Sequence, residues 1–382
     1  MSQPTKPVAG RDADDGPLLL TPGPLTTAPE TRAAMLRDFG SRDAAFIALT
    51  RRVRERLVAL ARGEDSHVSV PLQGSGTYAV EATLGTLLDR TRTTLVLVNG
   101  AYGRRIERLC RLIGAPVVTY ETAEDVPPDP AEVSRLLRTD ASIAEVVLVH
   151  CETTSGILNP LDGIAAAVNA EGRGLIVDAM SSYGAIPIDL RRTPIEALIG
   201  SSNKCLEGVP GIGFALVRRA RLEACVGHCH SLSLDLHDQW KGFEANGQWR
   251  FTPPTHVLAA LDAALDGLDA EGGVAGRFAR YRENCQILIR GMAALGARTL
   301  LPETLQAPII VSFRLPADPQ FRFERFYDEL GKRGYLIYPG KLTGADSFRV
   351  GCIGQVRSAD MEGFVSAARE AMRAIGVASL AP

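Results

Sequence analysis

The chain has 382 residues, 46% hydrophobic and 23% charged, with 44 acidic against 42 basic side chains and a formal net charge of -2. That length supports a large core and two domains, and the composition is that of an ordinary globular protein. The balanced charge argues against a nucleic-acid or membrane-surface partner, and no apolar run approaches the roughly 18 residues of a transmembrane helix. The N-terminus lacks the apolar stretch of a signal peptide, and residues 1–17 read as a disordered tail. Seven irregularly spaced cysteines without an export signal are expected to be reduced thiols of a cytoplasmic protein. Cys225, His228, Cys229 and His230 lack a second ligand cluster, so no metal is expected.

In chain order, the apolar run at Leu18 leads into TPGPL, an extended turn. Helical periodicity covers Thr31 to Arg62, with a loop near Phe39 to Asp43. Val68 to Leu72 reads as a strand that runs through Gly74 and Gly76 into a helix from Tyr78. Strands follow at Thr94 to Val98, Pro116 to Tyr120, Glu145 to Val149 and Leu175 to Val177. Leu198 to Ser202 and Gly213 to Val217 are two more, flanking a loop that carries Lys204. Helical segments lie between most of these runs, as in βαβ units, which predicts an α/β fold with a mainly parallel sheet covered on both faces. Helices are expected at Pro253 to Leu268 and Val274 to Leu295. After them the pattern becomes α+β, with strands at Ile309 to Arg314, Gly334 to Tyr338 and Ser347 to Cys352, and helices at Phe321 to Lys332 and Met361 to Ile375. The expected division is a large domain over 18–270 and a small one over 271–382, with the N-terminal segment able to pack on the latter.

Several residues carry chemistry at the carboxyl ends of these strands, where open α/β sheets bind ligands. Lys204 lies in a glycine-bearing loop. It is either a solvated loop residue or a buried amine of lowered pKa, able to form a Schiff base with pyridoxal phosphate and to move protons. Asp178 ends the strand GLIVD, where it caps a helix or pairs with a protonated pyridine nitrogen. LQGSGTYAVEA offers Ser75, Gly76 and Thr77 at a helix N-terminus, suited to phosphate or simply to close packing. Tyr102 is placed to stack on a planar ring, or is a core residue. HCETTSGILNP offers Glu152, Thr153, Thr154 and Ser155, one hydroxyl of which suits a ring oxygen. Arg349 in FRVG has the fork for an anionic group, or is a surface charge.

The words LLLTPGPLTT, QGSGTYAVEA, NGAYGRR, HCETTSGILNP, VDAMSSYGAIPID, SSNKCLEGVPGIGF, HSLSLDL, WRFTPPTH and IYPGK with FRVG together resemble the 2-aminoethylphosphonate–pyruvate transaminases. That family lies within the class V, fold-type I enzymes that use pyridoxal 5'-phosphate. The resemblance runs from about Leu18 to Ile375. It implies a seven-stranded, mainly parallel sheet between helices, a small C-terminal α+β domain, and a homodimer with shared active sites. It implies Lys204 as the Schiff-base lysine, Asp178 at the pyridine nitrogen, Tyr102 on the ring, and Thr154 at the ring oxygen. Ser75, Gly76 and Thr77 would hold the phosphate and Asn203 would lie near the cofactor. Thr252 or Thr255 would reach the neighbouring subunit's phosphate, and Arg349 would bind the substrate's anionic end. Departures at Arg42, His230, Cys352 and Gln355 bear on substrate recognition, and Arg42 is a further substrate-binding candidate. The implied reaction moves the amino group of 2-aminoethylphosphonate to pyruvate in two halves, as part of phosphonate catabolism. The alternative is another class V reaction, such as alanine–glyoxylate or serine–pyruvate transamination.

Overall fold

The computed structural model describes residues 16–342, 344 and 346–382. All but the last two positions of the expected 1–17 tail lie outside them. The first elements are β1 (Leu18–Leu19), α1 (Pro29–Ala33), α2 (Ala44–Leu60), β2 (His67–Gln73), α3 (Gly76–Leu87), β3 (Thr93–Val98), α4 (Ala101–Ile113) and β4 (Val117–Glu121). The middle of the chain forms α5 (Pro130–Thr139), β5 (Ile143–Val149), β6 (Cys151–Glu152), β7 (Ile157–Leu158), α6 (Leu161–Ala170), β8 (Gly174–Asp178), β9 (Ala197–Ser201) and β10 (Ile212–Arg218). Then come α7 (Arg219–Glu223), α8 (Leu236–Asn246), α9 (Thr255–Ala270), α10 (Gly273–Ala293), β11 (Ile310–Arg314), α11 (Phe323–Lys332), β12 (Tyr335–Leu336), β13 (Tyr338–Pro339), β14 (Ser347–Gly351) and α12 (Ser358–Ile375).

Seven strands form the main sheet in the order β2-β10-β9-β8-β5-β3-β4. The run from β9 to β4 is parallel, and β10 lies antiparallel to both its neighbours. The expected mainly parallel, helix-covered α/β sheet is therefore present. Its strands read as near-continuous apolar runs because both faces are buried. Successive side chains still alternate between faces. Val146 and Leu148 join one core with Phe46, Leu57 and Ile164, from α2 and α6. Val147 and Val149 join the other with Leu84, Ile106 and Phe243, from α3, α4 and α8.

A separate core forms around the antiparallel sheet β11-β14-β13 and helices α10 to α12. Phe313 and Phe348 stack there at 5.5 Å. Leu18 and Leu20 belong to the same core, and β1 pairs in parallel with β12. The single strand expected over Gly334 to Tyr338 is two short ones. Tyr335 and Leu336 pair with β1, whereas Tyr338 and Pro339 pair with β14, so the backbone changes partners across the buried Ile337.

Helix α8 falls outside the sequence-based elements. Asp235 caps it by accepting the Asp238 N–H, and Gly247 ends it in the left-handed region. The helix buries Trp240 and Phe243. No helix of the described residues is long and apolar enough to cross a membrane.

Candidate active site

The parallel strands β3, β5, β8 and β9 deliver their carboxyl ends to one crevice, and the turns after them converge there. Ser75, Gly76, Thr77, Tyr102, Asp178 and Lys204 all line a single cavity, as does Asn203.

The turn after β2 forms one end. Gly74 has φ +138, where a side chain is strained, and it leads to Ser75 at the start of α3. A Cβ on Gly76 would stand 2.3 Å from the Met180 sulfur, so the first turn of α3 packs closely against the Met180 side chain that follows β8. Ser75 does not cap α3 with its side chain, and the first-turn N–H groups remain suited to an anion. Arg105 stands beside them and donates from Nη1 to the Thr77 hydroxyl at 3.2 Å. The buried Ser201 hydroxyl, also on the cavity wall, has no partner among the described residues.

Asp178 ends β8 and accepts the Met180 N–H at 2.9 Å. Burial pushes its carboxyl up to about 6. The Met180 N–H pulls the other way, and the charge of Glu152 adds to the rise. Lys204 is buried in the turn between β9 and β10. Burial draws its pKa below the ordinary lysine range, while the charges of Tyr102, Cys205 and Asp178 oppose that shift. More of the amine is thereby unprotonated and nucleophilic. Its Nζ donates to the Pro22 carbonyl, carried in by the N-terminal TPGP segment.

Tyr102 is held by the start of α4. The buried Glu152 carboxylate accepts the N–H groups of Tyr102 at 3.1 Å and Gly103 at 3.3 Å. It also accepts the N–H and the hydroxyl of Thr154, at 3.1 and 2.5 Å. Burial opposes ionisation of the Tyr102 phenol. The charges of Lys204 and Lys341, with a hydrogen bond from Thr153, nonetheless bring it below the usual tyrosine range.

The structure does not bring Thr154 to the cavity. Its hydroxyl is fully buried between Glu152 and the Ala101 N–H, which it accepts at 3.0 Å. Thr153 lines the cavity instead. The reason is the tight β6–β7 hairpin, which turns the second threonine inward as a helix-capping partner.

Arg349, on β14, is 5% exposed. It donates from Nε to Pro339 O at 3.0 Å and from Nη1 to Thr153 O at 2.8 Å. Burial lowers its pKa against the pull of Tyr102, Tyr338 and Glu152. Arg42, Thr252 and Thr255 do not line this cavity within one chain. Arg42 is exposed and shares a shallow groove with Thr252, and Thr255 begins α9. The other departures also lie off the cavity. Cys352 is buried in the C-terminal core, Gln355 donates to Glu207 at 2.5 Å, and His230 lies over Gly85.

Sequence reasoning offered Thr153 among the hydroxyls for the ring oxygen, but missed Glu152 as an anchor, Met180, Arg105, Lys341 and the Pro22 carbonyl. Arg105 and Lys341 stood in the quoted words NGAYGRR and IYPGK. The roles of Pro22 and Glu152 arise only from tertiary contact.

A buried amine, a buried carboxyl and an anion-binding turn thus share one cavity. The family model for aminotransferase class-V matches residues 29–331. The chain belongs to the class-V aminotransferases. Two relatives of this class-V enzyme are a "2-aminoethylphosphonate--pyruvate transaminase 2" of Burkholderia lata and a "2-aminoethylphosphonate--pyruvate transaminase" of Pseudomonas aeruginosa. The first is 55% identical, covering 94% of this chain and 96% of its own. The second is 54% identical, covering 96% and 98%. Among solved structures, pyridoxamine-pyruvate aminotransferase from Mesorhizobium loti superposes with a TM-score of 0.86 at 25% identity, over 95% of this chain and 93% of that one. The arrangement of β2 to β10 around the cavity is therefore that of a fold shared among aminotransferases.

Proposed function

We propose that this aminotransferase uses pyridoxal 5'-phosphate to transfer the amino group of 2-aminoethylphosphonate to pyruvate, forming phosphonoacetaldehyde and L-alanine in phosphonate catabolism. The observation that carries the reading is near-full-length identity of 54–55% to transaminases named for that pair of substrates. For the alternative, a solved alanine--glyoxylate aminotransferase from Nostoc is 24% identical, a likeness of fold alone.

The donor set fits the cofactor. The first turn of α3, with Gly76 packed against Met180 and with Arg105 alongside, suits its phosphate. A buried carboxyl held up by desolvation at Asp178 suits a cationic ring N–H, which would return it to the charged form. The unpartnered Ser201 hydroxyl offers a further polar contact. Ser75, Gly76, Thr77, Tyr102, Asn203, Asp178 and Lys204 would hold the group, with Thr153 in place of Thr154 at the ring oxygen. When bound, pyridoxal phosphate supplies an aldehyde for the amine and a ring that accepts electrons from the substrate's α-carbon.

The chain's own residues do the rest. Asp178 keeps a proton on the ring nitrogen by presenting a negative partner. Lys204 Nζ would take the proton from the amine-bearing carbon (C2) of the donor and carry it across the same face of the site. Its lowered pKa leaves more of it unprotonated to serve as that base. Tyr102 fixes the ring plane, and Glu152 fixes Tyr102. Arg349 holds the acid group of donor or acceptor and so sets which carbon stands beside Lys204.

A homodimer is part of the proposal. Thr252 or Thr255 would complete the partner's phosphate site, and Arg42, in the same groove as Thr252, would approach the partner's substrate. The division into residues 18–270 and 271–382 and a cytoplasmic location complete the reading. The test is a panel of amino donors with pyruvate, following L-alanine and phosphonoacetaldehyde. Brisk use of serine with pyruvate, or of alanine with glyoxylate, without turnover of 2-aminoethylphosphonate would replace the proposed donor.

A further inference from the structure

Four cations gather around Tyr102, and one of them, the Arg105 guanidinium, lies over its ring 4.9 Å from the centroid. The Tyr102 hydroxyl feels the charges of Lys204 and Lys341, and the charge of Arg349 feels the same hydroxyl. Lys204 is committed to covalent chemistry in the reading above. Arg349 uses Nε and Nη1 on backbone carbonyls. Lys341 is different. It is half-buried, and its Nζ lies 4.4 Å from the centroid of the Tyr102 ring. Among the described residues it makes no hydrogen bond and no ion pair with a carboxylate. A cation on an aromatic face is held more weakly than one in a charge-assisted hydrogen bond, and can leave it for an anion.

The sheet explains why Lys341 stands beside Arg349. Tyr338 pairs with Arg349 across β13 and β14, and Pro339, two residues before Lys341, accepts the Arg349 Nε–H. The phosphate-binding turn has its own cation, Arg105, bonded to Thr77. Arg105 is tied to that turn although it too lies over Tyr102, whereas Lys341 is joined through β13 to Arg349. One guanidinium matches a carboxylate, which has two oxygens and one charge. A phosphonate has three acceptor oxygens and approaches a second negative charge near neutral pH, as phosphate groups do.

We propose that Lys341 is a specificity-determining residue whose ammonium, together with Arg349, receives the doubly charged acid group of the amino donor and separates it from a monocarboxylate. The inference rests on the substrate reading given above for this same site. On binding, Lys341 leaves the Tyr102 face for the third phosphonate oxygen. With pyruvate or L-alanine it has no such oxygen to meet, so those substrates depend on Arg349 alone.

The test uses the cofactor-loaded enzyme with Lys341→Met and Lys341→Arg. Each half-reaction is followed by cofactor absorbance, starting from 2-aminoethylphosphonate or from L-alanine. Methylphosphonate and acetate are titrated as competitors against L-alanine. Lys341→Met is expected to raise the KM for 2-aminoethylphosphonate and the inhibition constant of methylphosphonate by at least about tenfold, as loss of a charge-assisted contact does. The values for L-alanine and acetate should stay within about threefold, because no ground-state contact to them is lost. Lys341→Arg, which keeps the charge, should restore most of the difference.

Equal loss for phosphonate and carboxylate, no loss for either, or failure of Lys341→Met to hold the cofactor would each overturn the assignment. If wild-type enzyme rejects 2-aminoethylphosphonate while methylphosphonate binding still depends on Lys341, the donor identity falls and the role of Lys341 stands. If the donor is accepted and methylphosphonate binding is indifferent to Lys341, the reverse holds.

Discussion

Asp178→Asn should make the cofactor-free protein more stable while disabling the enzyme. The Asp178 carboxyl is held up at about 6 in the fold, mainly by burial, against about 3.9 for an unfolded aspartate. The folded state thus binds more protons than the unfolded state between those values. The stability linked to Asp178 is fully present below about pH 4 and is lost as pH rises through about 6. That rise corresponds to about 3 kcal/mol at pH 8. An amide stays neutral and does not incur that loss. Urea or thermal midpoints of the two cofactor-free proteins, compared at pH 5 and pH 8, isolate the effect, because other buried groups such as Glu145 contribute to both. The variant should be the more stable at pH 8, and its advantage should shrink markedly at pH 5. Adding pyridoxal phosphate should stabilise wild type more than the variant. Turnover by the variant should fall by about a hundredfold or more, the cost of losing one partner of a buried ion pair. An Asn variant no more stable than wild type at pH 8, or a difference that ignores pH, would refute this reasoning.

Other perturbations follow from the same contacts. Glu207, 2% exposed, accepts hydrogen bonds from Arg280 at 2.7 Å, Tyr281 at 2.5 Å and Gln355 at 2.5 Å, three residues from Lys204. Glu207→Ala should cost about 3 kcal/mol by urea denaturation, because Arg277 and Tyr281 stay buried, and Glu207→Gln distinctly less; a loss below about 1 kcal/mol for the alanine variant would show the network to be inessential. Thr153→Val should shift the absorbance of the bound cofactor and leave the melting midpoint nearly unchanged. Thr154→Val should instead destabilise the fold by about 1–3 kcal/mol, since it strips a hydrogen bond from the buried Glu152. The opposite pairing of effects would return the ring-oxygen contact to Thr154.

Much of this arrangement was legible in the sequence because the chemistry stands where apolar runs stop. Asp178 ends GLIVD, Tyr102 follows TTLVLV and Lys204 follows ALIGS, so locating the strands also located the crevice. The glycines at the start of α3 were visible, although the close packing of Gly76 against Met180 was not. Periodicity does not reveal which of two adjacent threonines faces a cavity, and the β6–β7 hairpin decided between Thr153 and Thr154. It also says nothing of Pro22 or Lys341, which meet Lys204 and Tyr102 only after distant segments pack together. Helix α8 was missed because its signals, an Asp235 cap and a terminal Gly247, are short and local. Arg42 shows the converse. Its charge suggested substrate, yet within one chain it sits in the groove with Thr252.

The most direct measurement is borohydride reduction of the enzyme loaded with pyridoxal phosphate, followed by peptide mapping. A single pyridoxyl-modified peptide, carrying the label on Lys204, is the predicted result. A label on another lysine, or none on protein that demonstrably contains the cofactor, contradicts the account.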